Sequence, residues 1–201
     1  MFFFDRTGGL QDRPYDKVHL LVFGEYIPLS DRFPVVRQWL PWAGDFARGP
    51  GPEIRRIAGV RVGPQICYEG LFPDFSRGLA EQGAQIFVNI TNDSWFGSWA
   101  EPQQHLFMTL ARGIEFRRPI VRATNTGISA AMRADGTLLE PSPQDVEWAH
   151  TYEIPYRKEP LPTFYQRYGF LLEPAVLWLT AGIFIAAGRR GSAPTRKKRQ
   201  K

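Results

Sequence analysis

At 201 residues, with 43% hydrophobic and 22% charged side chains, the chain is long enough for one domain with a real core and too apolar to be disordered. Its single cysteine, Cys67, excludes an internal disulfide and any multi-cysteine zinc site, and leaves the redox compartment open. The net charge of +5 comes from seven basic residues after Gly188 (Arg189, Arg190, Arg196, Lys197, Lys198, Arg199 and Lys201), and without them the body is slightly acidic, so no nucleic-acid partner is expected.

The chain opens on apolar, β-type "MFFFD", with no charged leader and no small-residue cleavage site, so no signal peptide is expected there. A domain that opens in mid-strand points to structure upstream. "DRTGG" reads as a turn, and "YDKVHLLVFGEYIPL" carries an extended run over 18–23. Residues 33–52 interleave Phe33, Trp39, Trp42 and Phe46 with prolines and glycines, and a loop of that length is functional or disordered. A strand is predicted over 57–66, a helix over 74–82 and a buried strand at "AQIFVNI". The clearest helix covers 102–117, where Phe107, Leu110, Ala111 and Ile114 fall at helical spacing. "PIVRATN" and "ISAAMRADGTLLE" follow as strands, the second turning at Asp135-Gly136. This alternation predicts an α/β sandwich.

The character changes past Pro162. The fifteen charge-free residues from Pro174 to Gly188 would fit a buried core helix, but extended back to Tyr168 the run is 21 residues with Glu173 its one charge. The basic cluster that follows favours a transmembrane helix, with Tyr165 and Tyr168 at the outer interface. The tail then lies inside the cell, and everything before Tyr168 outside the cytoplasm.

Read alone, Cys67 in "GPQICYEGLFP" is either a small buried hydrophobe or a nucleophile. A strand-to-helix junction would expose it beside backbone N–H groups able to hold an oxyanion. A thiolate needs a cation or base nearby. His19, His105 and His150 lack the flanking sequence of a cysteine protease, so a Cys–His dyad is the weaker option. Lys17 by itself would be a solvated surface charge, and Glu25 and Glu69 would be ion-pair partners or solvated acids.

The blocks "YDKVHLLVFGEYIPL", "ICYEGLFP", "NITNDSWFG" and "RATNTGISA", in that order and with compatible spacing, resemble the apolipoprotein N-acyltransferases. These are bacterial inner-membrane enzymes whose extracytoplasmic, periplasmic domain belongs to the nitrilase superfamily. The resemblance covers residues 1 to about 156. It implies a nitrilase-like α-β-β-α sandwich, incomplete at its N-terminal side, over 1–163, then one transmembrane helix over 164–188 and a basic cytoplasmic tail over 189–201. It also implies that Cys67 is the nucleophile and Lys17 the catalytic lysine, with the Tyr68 N–H helping to hold the oxyanion. Glu25 and Glu69 match acidic site residues, and Trp95 a pocket-shaping aromatic.

The implied reaction moves an acyl group from a membrane phospholipid, through a Cys67 thioester, to the N-terminal lipid-modified cysteine of an apolipoprotein, with no metal or organic cofactor. One departure stands out. The family's catalytic glutamate lies upstream of its lysine, yet only Asp5, Asp12 and Asp16 precede Lys17, and the family's N-terminal membrane helices are absent. A truncated or split form, completed by a separate N-terminal half, is therefore expected. Asn89 in "NIT" and Asn92 in "NDS" are chance matches to the glycosylation pattern. Two other readings stay open: a soluble nitrilase-type carbon-nitrogen amidohydrolase, and a catalytically dead membrane-anchored binding domain.

Overall fold

The computed structural model describes residues 1–191 apart from Arg6, Asp12, Phe96 and Ser98; Asp12 and the basic tail from residue 192 onwards lie outside the described residues. Two compact units appear, 1–166 and 167–201.

In the first unit a short helix, α1 (Val36–Trp39), precedes strands β1 (Arg55–Ile57) and β2 (Val60–Ile66). Then come a 3-10 turn (Cys67–Leu71), α2 (Pro73–Glu81), β3 (Ile86–Thr91), α3 (Glu101–Phe116), β4 (Ile120–Thr124), β5 (Ala130–Met132) and β6 (Leu138–Leu139). The six strands form one sheet in chain order. Its centre, β2–β3–β4, is parallel, with Ile66 opposite Ile90 and Asn89 opposite Arg122. Parallel neighbours need crossover connections, which α2 and α3 supply. Both helices cover one sheet face, and between them and the sheet lies a core of Phe75, Leu79, Phe87, Leu106, Leu110, Phe116 and Ile120. On the other face Ile90 and Ala123 are exposed, the face that pairs with a second sheet in an α-β-β-α sandwich.

Four sequence expectations are corrected. Residues 18–23 form no strand; the segment has only an isolated bridge between Val22 and Tyr26, because the Val18 and His19 N–H groups donate to the Glu69 carboxylate instead of to a ladder. "MFFFD" likewise makes a single bridge, Phe4 to Leu10. The strand expected over 57–66 is broken by a two-residue hairpin at Ala58-Gly59, whose φ values of 49° and 83° suit the tight turns that reverse a strand. In α3, Leu110 is in the core, but Phe107 and Ile114 are 62% and 52% exposed. Its inward face is Leu106, Leu110, Gly113 and Phe116 with His105 and Thr109, and apolar residues on both faces hide that choice from spacing alone.

α4 (Phe164–Tyr168) ends the first unit and enters the second, which continues through a 3-10 turn (Gly169–Leu171) into α5 (Leu172–Gly191). Residues Phe164–Gly188 form a helical stretch long and apolar enough to cross a membrane. Its large side chains, Trp178 and Phe184 among them, are exposed.

Candidate active site

β2 delivers Cys67 to the sheet's C-terminal edge. Cys67 is half-buried and adopts φ 55°, a left-handed conformation that costs a non-glycine residue about 1–2 kcal/mol. The chain then tightens into the 3-10 turn and enters α2 through Pro73, whose missing N–H costs nothing in a first helical turn.

The strained turn is held by Glu69, which is fully buried. Its Oε2 accepts the Ile66 N–H (2.7 Å) and the Tyr15 hydroxyl (3.1 Å), and its Oε1 accepts the N–H groups of Val18 (2.5 Å) and His19 (3.1 Å). One carboxylate thus ties the strand leading to Cys67 to the segment carrying Lys17. Burial pushes the Glu69 carboxyl above its ordinary value, against the pull of these donors. Burial, reinforced by the Glu69 charge, also pushes the Tyr15 phenol up. Glu69 and Glu25 therefore do different work, although the sequence grouped them.

Lys17, 9% exposed, lies in that pinned segment and places Nζ 2.8 and 2.7 Å from the two Glu25 oxygens. Glu25 Oε2 also accepts the Leu21 N–H at 2.8 Å. The ammonium sits 5.4 Å from the centroid of the ring of Tyr68, the residue after Cys67. Glu25, Cys67, Tyr68 and Trp95 line one cavity of about 690 Å³, with Trp42 and Phe46 from the aromatic loop. A larger groove of about 990 Å³ lies at the N-terminal ends of β3 and β4, lined by Arg118 and Arg133; Cys67, Tyr68 and Glu25 line the smaller cavity and not this one, so chemistry favours the smaller cavity.

Behind Cys67 is a polar cluster that sequence reasoning missed. Asn89 on β3 donates from Nδ2 to the Cys67 carbonyl (2.9 Å). Its Oδ1 accepts from the Arg122 guanidinium on β4 (3.0 Å), which also donates to Thr109 (3.2 Å) and to Asp93 Oδ2 (2.7 Å). His105 Nδ1 on α3 lies 2.9 Å from Asp93 Oδ1, and the Asp93 N–H donates to Asn125 at 3.0 Å. Burial raises the Asp93 carboxyl, but His105 and Arg122 outweigh it and hold the group below its ordinary value. Burial lowers the Arg122 guanidinium, against the charge of Asp93.

Two glycines make room for the cluster. A Cβ on Gly70 would come within 3.2 Å of the Asn89 amide, and one on Gly127 within 2.0 Å of Asp93 Oδ2. The sequence signal was there: polar residues at alternate positions of strands expected to be buried. Of the histidines, only His105 reaches the cavity wall, with Glu101. His19 stacks on Phe72 and His150 on Trp148. Asn89 is fully buried, in keeping with its being a chance match to the glycosylation pattern.

Residues 1–156 match the model of the carbon-nitrogen hydrolase family. The chain belongs to that family. The apolipoprotein N-acyltransferase of Bdellovibrio bacteriovorus is 50% identical over 192 residues, 94% of this chain and 35% of the relative. That of Geobacter metallireducens is 38% identical over 179 residues, 88% of this chain and 34% of the relative. The chain thus spans about a third of the length of these curated relatives. Among solved structures, a carbon-nitrogen hydrolase from Helicobacter pylori shares the fold at TM-score 0.55 and 18% identity, covering 73% of this chain and 52% of that one. An amidase from Nesterenkonia, described with acrylamide added at its active-site cysteine, does so at TM-score 0.50 and 21% identity, covering 72% and 52%.

Proposed function

We propose that the chain carries the nucleophile-bearing part of an apolipoprotein N-acyltransferase. The observation that supports this most is Cys67 in a left-handed turn at a strand end, with the paired Lys17 ammonium beside the Tyr68 ring and an apolar cavity in front. The Cys67 thiolate attacks the acyl carbonyl of a phospholipid, forming the S–C bond and an oxyanion that faces Lys17 and the Tyr68 N–H. Collapse breaks the ester C–O bond, and the leaving lysophospholipid oxygen takes a proton. The free amine of the lipid-modified N-terminal cysteine of an apolipoprotein then attacks the thioester, restores the thiolate and gives up a proton. A thioester waits without hydrolysing quickly yet remains reactive towards an amine.

Lys17, held by Glu25, keeps its charge for the oxyanion and does not take the thiol proton. Glu69 is committed to four donors. The base is then a glutamate supplied by an N-terminal part, and a positioned base contributes about 10²–10⁴-fold. Both substrates are held in the bilayer by acyl chains, which is why the catalytic unit is joined to an apolar helix. The domain lies on the extracytoplasmic side of the bacterial inner membrane, with the tail after Gly188 inside.

The test joins this chain to the N-terminal region of the Bdellovibrio relative and measures lysophospholipid release from vesicles. Release is expected from the joined protein, and loss of it with Cys67→Ala. Hydrolysis of short amides without acyl transfer would favour the amidohydrolase reading instead. Orientation is read with single reporter cysteines at Thr151, which is exposed, and at Ser192 in a Cys67→Ala background. A membrane-impermeant reagent on intact spheroplasts should label only the first, and labelling of the second would reverse the orientation.

A further inference from the structure

We infer that Asn89 and Arg122 are positioning residues that aim the Tyr68 N–H into the oxyanion site, an inference that rests on the acyl-transfer reading of Cys67. The peptide joining Cys67 to Tyr68 is planar and trans, so its C=O and N–H point in opposite directions. Asn89 Nδ2 holds that C=O at 2.9 Å, which turns the N–H away from β3. Tyr68 sits in the first turn of the 3-10 segment, where N–H groups have no intrahelical acceptor. That leaves the donor available to a substrate oxygen. Without the Asn89 contact, a residue at φ 55° has no local reason to keep this peptide orientation.

Asn89 is itself held. An amide can rotate to exchange its oxygen and nitrogen, and the Arg122 guanidinium at 3.0 Å forbids it by requiring an acceptor on that side. Arg122 is fixed in turn by Thr109 and by Asp93, which His105 orients. The whole array is buried: Asn89 and Asp93 are fully so and Arg122 is 1% exposed. A buried ion pair is a poor way to add stability, because apolar residues of the same volume serve as well or better. It is a good way to fix the direction of one amide. Gly70 and Gly127 are consistent with this, since a side chain at either would displace Asn89 or Asp93.

The experiment uses the full 201-residue chain in detergent micelles and reads alkylation of Cys67 by iodoacetamide at its high-pH plateau, where thiol pKa no longer enters. A straight-chain aldehyde protects Cys67 by forming a thiohemiacetal: sulfur adds to the carbonyl carbon and the carbonyl oxygen becomes the oxyanion. The alcohol of equal chain length fills the cavity but cannot add. The native chain should be protected by aldehyde at concentrations at least about tenfold below those of the alcohol. Asn89→Asp keeps the shape and the acceptor for Arg122 but loses the donor, and Asn89→Ser is neutral and too short to reach the carbonyl. In both, the aldehyde's advantage should fall about tenfold or more, while plateau alkylation and alcohol protection stay within about twofold.

Retention of the advantage in both variants would overturn the inference. So would loss of cooperative unfolding in both, which would assign Asn89 to the fold alone. A native chain that is alkylated but gains nothing from the aldehyde would show that no oriented donor exists and would also overturn it. A native Cys67 that reacts with neither reagent would sink the acyl-transfer reading itself, and this inference with it.

Discussion

Two irregular segments flank the site, and they are ordered by opposite means. Residues 15–27 contain no helix or strand, yet Tyr15, Lys17, Leu20 and Ile27 are buried. The N–H groups of Val18, His19 and Leu21 are satisfied by two carboxylates, Glu69 from the Cys67 turn and Glu25 from the segment itself. Residues 33–46 contain only the one-turn α1, and their aromatic side chains face outward: Trp39 is 67% exposed, Trp42 72% and Phe46 63%. The side-chain ion pairs there, Arg37 with Asp45 and Asp31, are exposed, and such pairs contribute little. Charged side chains can replace a strand ladder where a backbone must be rigid, while an aromatic surface without a core behind it is suited to contact something else.

The largest test of that contrast is Glu69→Ala. It strands three backbone N–H groups and the Tyr15 hydroxyl in a buried site, at about 1–3 kcal/mol each, so a loss of about 4 kcal/mol or more is expected in denaturant unfolding. A loss below about 1 kcal/mol would mean that the segment is ordered by something else. Lys17→Met comes next and acts on chemistry more than on folding. Thioester formation in the joined protein should fall about 10²–10³-fold, with stability falling by about 1–2 kcal/mol because Glu25 loses its buried partner but stays partly solvated. Equal losses in both would assign Lys17 a structural role.

Asp93→Asn sharpens the comparison by pH. Because His105 and Arg122 hold the native carboxyl below its ordinary 3.8, Asp93 contributes stability that is fully present above that value and is lost as pH falls through the lowered native one. The stability gap between native and variant should be widest near pH 6 and should close below pH 3.8. A gap that stays constant with pH would contradict the charge-based account. The smallest effect belongs to the aromatic loop: Trp39→Ala combined with Trp42→Ala should shift stability by only about 0.5 kcal/mol. The same change should raise KM for vesicle-borne phospholipid while sparing kcat. A large loss of stability would show that the loop is part of the core after all.

Much of this was legible in the sequence, and the rest failed for identifiable reasons. Alternation and turn chemistry marked β2 to β6, α2 and α3, and the four sequence blocks brought Cys67, Lys17, Glu25 and Glu69 together. Residues 18–23 misled because an apolar, β-branched run looks the same whether its N–H groups bond a neighbouring strand or a distant carboxylate 50 residues on. The Asn89–Arg122–Asp93–His105 array stayed hidden for a related reason. Its members come from β3, β4, the loop after β3, and α3, and only the parallel register that sets Asn89 opposite Arg122 brings them together. Glu69 shows the limit of reading by proximity, since its place beside Cys67 did not reveal that it faces the Lys17 segment.

The central claim is that Cys67 carries the acyl group. In the protein joined to the N-terminal region of the Bdellovibrio relative, incubation with phospholipid vesicles should add one acyl mass to the peptide containing Cys67. Neutral hydroxylamine should remove it, as it does a thioester, and Cys67→Ala should abolish it. Release of lysophospholipid with Cys67 unmodified at every time point, or an acyl mass that persists in the alanine variant, would contradict the account.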